Sequence, residues 1–190
     1  MNGGNLLGET LGFVIQVLVG LYVLVLMLRL LLGWLRADFY NPLSQFIVKV
    51  TNPPVIPLRR LLPPLGRMDT ATVVIMLLVQ MLGVALVMLV SGRPVRPYPL
   101  LVHSLVELVS LGFSVFIFAI LIQAILSWVN PGGYNPALSI LHSLTEPVLR
   151  PLRGLIPPIS GIDLSPLFAI LALEVARRLV LGVLTGLLLA

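Results

Sequence analysis

Four long apolar stretches restrict what this sequence can fold into. They cover residues 11–35, 70–90, 100–129 and 164–189, and each reaches the roughly 20 residues that a helix needs to cross a bilayer. Only 10% of the residues are charged, whereas soluble domains carry about 25%. The pattern excludes an ordinary soluble enzyme and a disordered chain. It predicts an all-α integral membrane protein with four transmembrane helices, the first of them retained because no cleavage site follows it.

Residue types that carry catalysis or hold cofactors are scarce. Cysteine is absent, which excludes disulfides, thiolate catalysis and cysteine-based metal or haem sites. The two histidines, His103 and His142, are too few for a conventional catalytic zinc site. No cluster combines a nucleophile, a base and oxyanion donors. We therefore expect no cofactor, no metal and no enzymatic activity.

The two long connectors between the apolar stretches are copies of each other. A shift of 94 positions superimposes them without a gap, and many of the matches are residues of rare types, so chance is a poor explanation. The chain is interpreted as a tandem duplication with units 1–94 and 95–190. The matched pairs include Trp34 with Trp128, Tyr40-Asn41-Pro42 with Tyr134-Asn135-Pro136, Thr51 with Thr145, Pro57-Leu58-Arg59 with Pro151-Leu152-Arg153, and Asp69 with Asp163.

Each unit reads as a span, a connector and a second span. Two spans return the chain to its starting side, so the two units form a parallel repeat and both connectors face one compartment. Positive residues favour the cytoplasmic side, which predicts cytoplasmic connectors and outward-facing termini. Scattered arginines suit anionic lipid headgroups and do not predict nucleic-acid binding. The connectors carry Arg36, Lys49, Arg59, Arg60, Arg67, Arg150 and Arg153, against Arg93 and Arg96 on the other side.

Each connector opens with Asn-Pro, a pair that starts helices because asparagine caps and proline suits the first position. Asn41-Pro42 and Asn135-Pro136 therefore predict short amphipathic helices over residues 42–51 and 136–145. Such helices are too short to span, so they are expected to lie in the interface or to enter the bilayer as re-entrant segments. The prolines that follow are expected to prevent a long helix. Whether the connectors are surface anchors or line a pore or docking cleft stays open.

Charged residues in the connectors suggest further roles. Arg59, Arg60, Arg150 and Arg153 suit lipid phosphates or the acidic groups of a partner. Asp69 and Asp163 stand where they can cap the returning spans, because a carboxylate is favoured at a helix N-terminus.

Ionisable residues also fall inside the apolar stretches, where each costs about 2.5–3.5 kcal/mol on insertion scales. One interpretation is hydrogen bonding between helices, with the arginine of the first stretch reaching the interface. The other is an ion or proton path. The candidates are Arg29, His103, Glu107, Glu174, Arg177 and Arg178.

The repeated Tyr-Asn-Pro, Thr-x-Pro, Pro-Leu-Arg and Pro-Pro elements resemble the signature of the YggT family, whose larger members carry two such repeats. The resemblance covers essentially the whole chain. It implies a bacterial inner-membrane protein linked to osmotic shock and extracytoplasmic stress, with a suggested link to potassium uptake. Other relatives are associated with division or with cytochrome maturation. It implies no catalytic residues.

Two classes of function follow from the sequence. The protein could support ion balance as a small channel or as an accessory to a transporter, and a channel would need an oligomer because four helices enclose little water. Alternatively, it could be a membrane scaffold or assembly factor that acts through its arginine- and proline-rich connectors. The expected partners are the bilayer, anionic headgroups, and a second copy or another membrane protein.

Overall fold

The computed structural model describes residues 3–38, 40–129, 136–156 and 163–189, which form helices joined by turns and short irregular segments. In chain order, the helices are α1 (Gly3–Trp34), α2 (Pro42–Arg59), α3 (Thr70–Val90), α4 (Pro97–Val129), α5 (Pro136–Leu155) and α6 (Ser165–Leu189). Helices α1–α3 form a first unit and α4–α6 a second unit, since α4 and α5 each begin 94 residues after their counterparts and α6 begins 95 residues after α3.

Among the described residues, three helical segments are long and apolar enough to cross a membrane. They are Leu6–Trp34, Thr70–Val90 and Pro97–Ser127. The prediction of four spans is therefore not confirmed. Helix α6 forms where the fourth span was expected and has 25 residues, but three charged side chains lie within five residues at its centre, and charge is what makes insertion costly.

Both connector helices are longer than the sequence predicted. Helix α2 continues to Arg59 instead of ending near residue 51, and α5 continues to Leu155 instead of ending near residue 145. The expectation that proline would stop them is wrong, because α2 contains three internal prolines and α5 two. Proline keeps a helical φ, but it loses its own N–H bond and crowds the carbonyl four residues earlier. Pro53 and Pro54 leave the carbonyls of Lys49 and Val50 without that bond, and both of those residues are exposed.

Side-chain caps fix where the helices begin. The Asn41 side chain accepts a hydrogen bond from the Leu43 N–H at 2.9 Å, and Pro42 follows it as the first residue of α2. Asp69 is the N-cap of α3 and Asp163 accepts from the Ser165 N–H at 2.9 Å near the start of α6. The second predicted cap, Asn135, lies outside the described residues.

The helices pack as two hairpins joined side by side. Helix α1 lies along α3, α4 lies along α6, and α3 contacts α4 where the two units meet. The connector helices α2 and α5 cover one end of their own hairpins and also contact each other. Glycine permits the close packing of α1 on α3, because a Cβ at Gly83 would lie 2.5 Å from Val19 Cγ1 and one at Gly8 would lie 2.9 Å from the Val90 carbonyl oxygen.

Candidate functional site

A buried arginine joins three helices of the first unit. Arg29 on α1 is only 7% exposed, and its Nη1 donates to Thr51 Oγ1 at 2.7 Å and Asn52 Oδ1 at 2.9 Å, both on α2. It also donates to the Val48 carbonyl at 3.3 Å, and its Nε lies 3.9 Å from the Asp69 carboxylate at the start of α3. Arg29 is therefore held by groups of the first connector and of the start of α3.

The Asp69 carboxylate completes this group, which we call the Arg29 cluster (Arg29, Thr51, Asn52, Arg59 and Asp69). Arg59 donates to Asp69 Oδ2, and the Thr72 hydroxyl donates to the same oxygen at 2.7 Å. Burial alone would raise the pKa of Asp69, but the hydrogen bonds from Arg59 and Thr72 outweigh it, so the pKa lies below its ordinary value. Arg59 is thus occupied within the chain.

The second unit repeats this arrangement with different residues. Gln123 occupies the position of Arg29 and accepts from the Thr145 hydroxyl, and Glu146 replaces Asn52. Arg153 donates to Glu146 at 3.1 Å and to Asp163 at 3.0 Å. Burial raises the pKa of Asp163, but hydrogen bonds from Ser165 and Arg153 give a net lowering. We call Gln123, Thr145, Glu146, Arg153 and Asp163 the Gln123 cluster.

The two clusters carry opposite net charge. The Arg29 cluster has two guanidiniums and one carboxylate, whereas the Gln123 cluster has one guanidinium and two carboxylates. Sequence reasoning singled out the arginines and aspartates but missed the threonines and Gln123 as their partners. The shift of 94 positions that reveals the repeat also pairs Arg29 with Gln123, so the signal was present in the sequence.

Two other predicted connector arginines are exposed. No ion pair joins Arg60 or Arg150 to any residue in the described ranges, so both guanidiniums are available to headgroups or a partner. Asn41 has a second role, because its Nδ2 donates to the Pro136 carbonyl at 2.6 Å and thereby links α2 to α5.

A cleft of about 560 Å³ lies between α1, α3 and α4. It extends from the turn between α3 and α4 to the level of Val23 on α1. The next turn of α1 is closed, because Leu26 and Met27 are buried in the core. The polar residues that line the cleft are Gln16, Gln80, Arg93, His103, Glu107, Ser110 and Ser114.

Glu107 is the acidic centre of the cleft. His103 Nε2 lies 3.2 Å from Glu107 Oε1, and Gln80 Nε2 donates to Oε2. Gln80 is the eleventh of the 21 residues of α3, so it lies about 15 Å from either end of that helix. The Glu107 carboxylate therefore lies at mid-depth of a membrane-length helix. Gln80 as its partner was missed, since the two residues are 27 positions apart.

The three charges of α6 form a separate group that touches the deep end of the cleft. Glu174 Oε1 accepts from Arg177 at 2.8 Å and from Arg178 at 3.2 Å. Arg177 also donates to Ser114 on α4 at 3.4 Å, while the Arg178 side chain is 80% exposed. The six predicted intramembrane residues thus form three groups. Arg29 is bonded to connector residues, His103 pairs with Glu107, and Glu174, Arg177 and Arg178 form the third group.

These features define a class: an all-helical protein with apolar helices of membrane length, paired connector helices and a polar cleft. The CCB3/YggT family model matches residues 8–90 and again residues 102–184, and the chain belongs to this family. An uncharacterized protein of Pseudomonas aeruginosa is 44% identical over 172 residues, which are 90% of this chain and 87% of that relative. The uncharacterized YggT protein of Escherichia coli is 38% identical over 168 residues, 88% of this chain and 87% of the relative.

A shorter relative corresponds to less than half of this chain. The uncharacterized ycf19 protein of Guillardia theta is 32% identical over 72 residues, which are 79% of that protein but 37% of this one. No solved structure matches the chain.

Proposed function

We propose that this protein supports ion balance across the bacterial inner membrane under osmotic stress, by holding a monovalent cation such as potassium in the cleft around Glu107. The observation that carries the proposal is the position of the Glu107 carboxylate, which opens into a polar cleft at mid-depth of α3. A carboxylate at that depth costs several kcal/mol unless a cation, water or a protein group compensates it.

The groups around Glu107 suit a hydrated cation. The amide oxygens of Gln16 and Gln80 and the hydroxyl of Ser110 are neutral oxygen ligands in the same cleft. A volume of about 560 Å³ holds an ion with several waters, since one water takes about 30 Å³. The proposal is non-enzymatic, because these residues bind and orient an ion without a bond being made or broken.

The cleft favours an accessory role over an autonomous channel. Its inner end is closed by buried side chains on α1 and α4, including Leu26 and Val115. A channel requires a continuous wet path, and a cation in this cleft meets an apolar barrier instead. We therefore propose that the protein either passes the ion to a transport partner or signals to that partner that the ion is bound.

The membrane placement is part of the proposal. Helix α6 serves as the fourth span, which is supported by the compensation of Glu174 by Arg177 and the bond from Arg177 to Ser114. The connectors face the cytoplasm and the termini face outward, so the cleft opens outward. Arg60 and Arg150 contact anionic headgroups from the cytoplasmic side.

The scaffold alternative has less support. Two of the arginines that a scaffold would offer to a partner, Arg59 and Arg153, are bound to Asp69 and Asp163 within the chain. The exposed apolar side chains Leu43 and Ile56 of α2 suit the bilayer surface, where an amphipathic helix lies flat.

The test compares Glu107→Gln with Asp38→Asn, which removes one carboxylate from an exposed position outside the cleft. Cells that lack their own copy are complemented with each variant, and potassium accumulation is followed after an osmotic upshift. We expect wild type and Asp38→Asn to restore accumulation and Glu107→Gln to reduce it several-fold at equal expression. Full restoration by Glu107→Gln would contradict the cation site.

A second measurement separates the accessory role from a channel. Purified protein in liposomes is assayed for uptake of radioactive rubidium, a potassium tracer, against empty liposomes. We expect no uptake above the empty liposomes. Uptake that Glu107→Gln abolishes would retain the cation site and replace the accessory role with a channel.

A further inference from the structure

The two units of this chain meet in an interface whose two sides are different. The first unit contributes parts of α1, α2 and α3, and the second unit contributes parts of α4 and α5. The contacts include the bond from Gln80 to Glu107 and the bond from Asn41 to the Pro136 carbonyl. We call the side given by the first unit the leading surface and the side given by the second unit the trailing surface. Because the two units are repeats, the first unit also has a surface equivalent to the trailing surface, and the second unit also has a surface equivalent to the leading surface.

The trailing surface of the first unit is uncovered. Four apolar residues of the second unit that lie at or beside this interface are only 2–9% exposed, whereas their counterparts 94 positions earlier are 36–59% exposed. The buried residues are Leu108, Val115, Ile140 and Leu144, and their exposed counterparts are Val14, Leu21, Phe46 and Val50.

The leading surface of the second unit is uncovered in the same way. Met27 and Leu31 of the first unit are 6% and 7% exposed, and their counterparts Leu121 and Ile125 are 42% and 48% exposed. Positions on another face behave differently, since Leu89 and its counterpart Val183 are 62% and 61% exposed. A face that is exposed in both units faces lipid, but a face that is buried in one unit and exposed in the other has a missing neighbour.

Lipid and a second copy of the chain are the two candidates for the missing neighbour, and the charged residues on the uncovered surfaces favour a second copy. Val84 on the leading side and His103 on the trailing side line the internal cleft together. Their counterparts on the uncovered surfaces are Arg178 and Glu9, which are both exposed. Arg178 shares Glu174 with Arg177, so the α6 group retains a positive charge, and no ion pair joins Glu9 to any residue of the described segments.

We propose that copies of this chain assemble head to tail, with the second unit of one copy packed on the first unit of the next as the first packs on the second within the chain. Arg178 then faces Glu9 of the neighbouring copy. The two surfaces are different, so the contact is heterologous, and such contacts close into rings when the rotation allows. A shared membrane orientation places the rotation axis along the bilayer normal. This assembly uses the membrane placement proposed above but does not depend on cation binding.

The absence of cysteine makes the contact testable by cross-linking. Copies with Glu9→Cys and copies with Arg178→Cys carry different tags, are expressed together, and are treated in membranes with a short bifunctional maleimide. We expect a cross-link between the two kinds of copy and none between two Arg178→Cys copies. The matched control pairs Leu89→Cys with Val183→Cys, two positions on the face exposed in both units, and this pair should give no cross-link. No cross-link at the first pair, or an equal yield at the control, would overturn the proposal.

Charge reversal tests the specific contact. Arg178→Glu and Glu9→Arg should each lower the oligomer fraction of the purified protein several-fold, and the double variant should restore it. Both side chains are exposed, so the fold of the single chain tolerates these changes, which circular dichroism verifies. An unchanged oligomer fraction in both single variants would overturn the proposal. Oligomers that persist in Glu107→Gln would show that assembly and the ion role are separate.

Discussion

Replacement of Arg29 by alanine removes the group on which the first connector is anchored. The guanidinium is 7% exposed and donates to two good acceptors on α2, Thr51 at 2.7 Å and Asn52 at 2.9 Å. Hydrogen bonds to a charged group contribute about 1.5–3 kcal/mol each. Loss of both, offset in part because a buried cation no longer has to be desolvated, predicts a loss of about 2–5 kcal/mol in the free energy of unfolding.

The second unit supplies the comparison variant. Glutamine stands at the counterpart of Arg29 and is bonded by Thr145, so Arg29→Gln should recover one hydrogen bond with Thr51. We expect this variant to lose about 1–3 kcal/mol, clearly less than Arg29→Ala. Addition of Asn52→Glu completes the exchange, because the new carboxylate can bond Arg59 as Glu146 bonds Arg153.

The measurement is reversible unfolding in a mild detergent with increasing dodecyl sulfate, followed by circular dichroism. Arg60→Ala is the control, since that side chain is exposed and surface changes usually stay within about 0.5 kcal/mol. The reasoning is refuted if Arg29→Ala unfolds within about 1 kcal/mol of wild type, a shift smaller than the weakest bond it removes. It is also refuted if Arg29→Gln is as damaging as Arg29→Ala.

Three further outcomes are expected. The pKa of Asp69 is lowered in the folded protein, so its ionisation stabilises the fold above the ordinary aspartate pKa of about 3.9. That stability is lost as the pH falls through the lower pKa of the folded state. Asp69→Asn should therefore flatten the pH dependence of unfolding. Gly83→Ala places a Cβ 2.5 Å from a packed side chain and should cost about 1–3 kcal/mol in the same assay, whereas Gly20→Ala, with nothing within 4 Å, should cost little. Arg60→Ala with Arg150→Ala should weaken binding of soluble inositol phosphates, used as headgroup probes, without a change in unfolding.

The sequence predicted those parts of the fold that depend on local composition. The span over residues 70–90 coincides with α3, and Asp69 stands at its N-terminus as the capping rule suggests. The ends of the connector helices depend on something else. Proline lowers helix stability, but packing of Val55 and Leu149 in the core outweighs that penalty, and tertiary burial of this kind is not visible in a local window.

The site residues divide in the same way. Pairs three or four positions apart on one helix, such as His103 with Glu107 and Glu174 with Arg178, follow from helical spacing and could be proposed in advance. Arg29 with Asn52 and Gln80 with Glu107 are 23 and 27 positions apart and depend on how the helices pack. The repeat supplied a partial substitute for that information, because one unit shows which positions of the other occupy the same place.

The opposite charges of the Arg29 and Gln123 clusters have a consequence for the history of the two halves. A duplicated gene can be homogenised when one copy overwrites a segment of the other. Here an exchange that placed glutamine at position 29 without glutamate at position 52 would leave a polar group of the connector without its hydrogen-bonding partner. The same holds for an exchange that placed arginine at position 123 without asparagine at position 146. An exchange that carries both positions together keeps these matches, whereas a shorter one lowers stability, and this difference favours the continued divergence of the two halves as distinct, mutually dependent parts.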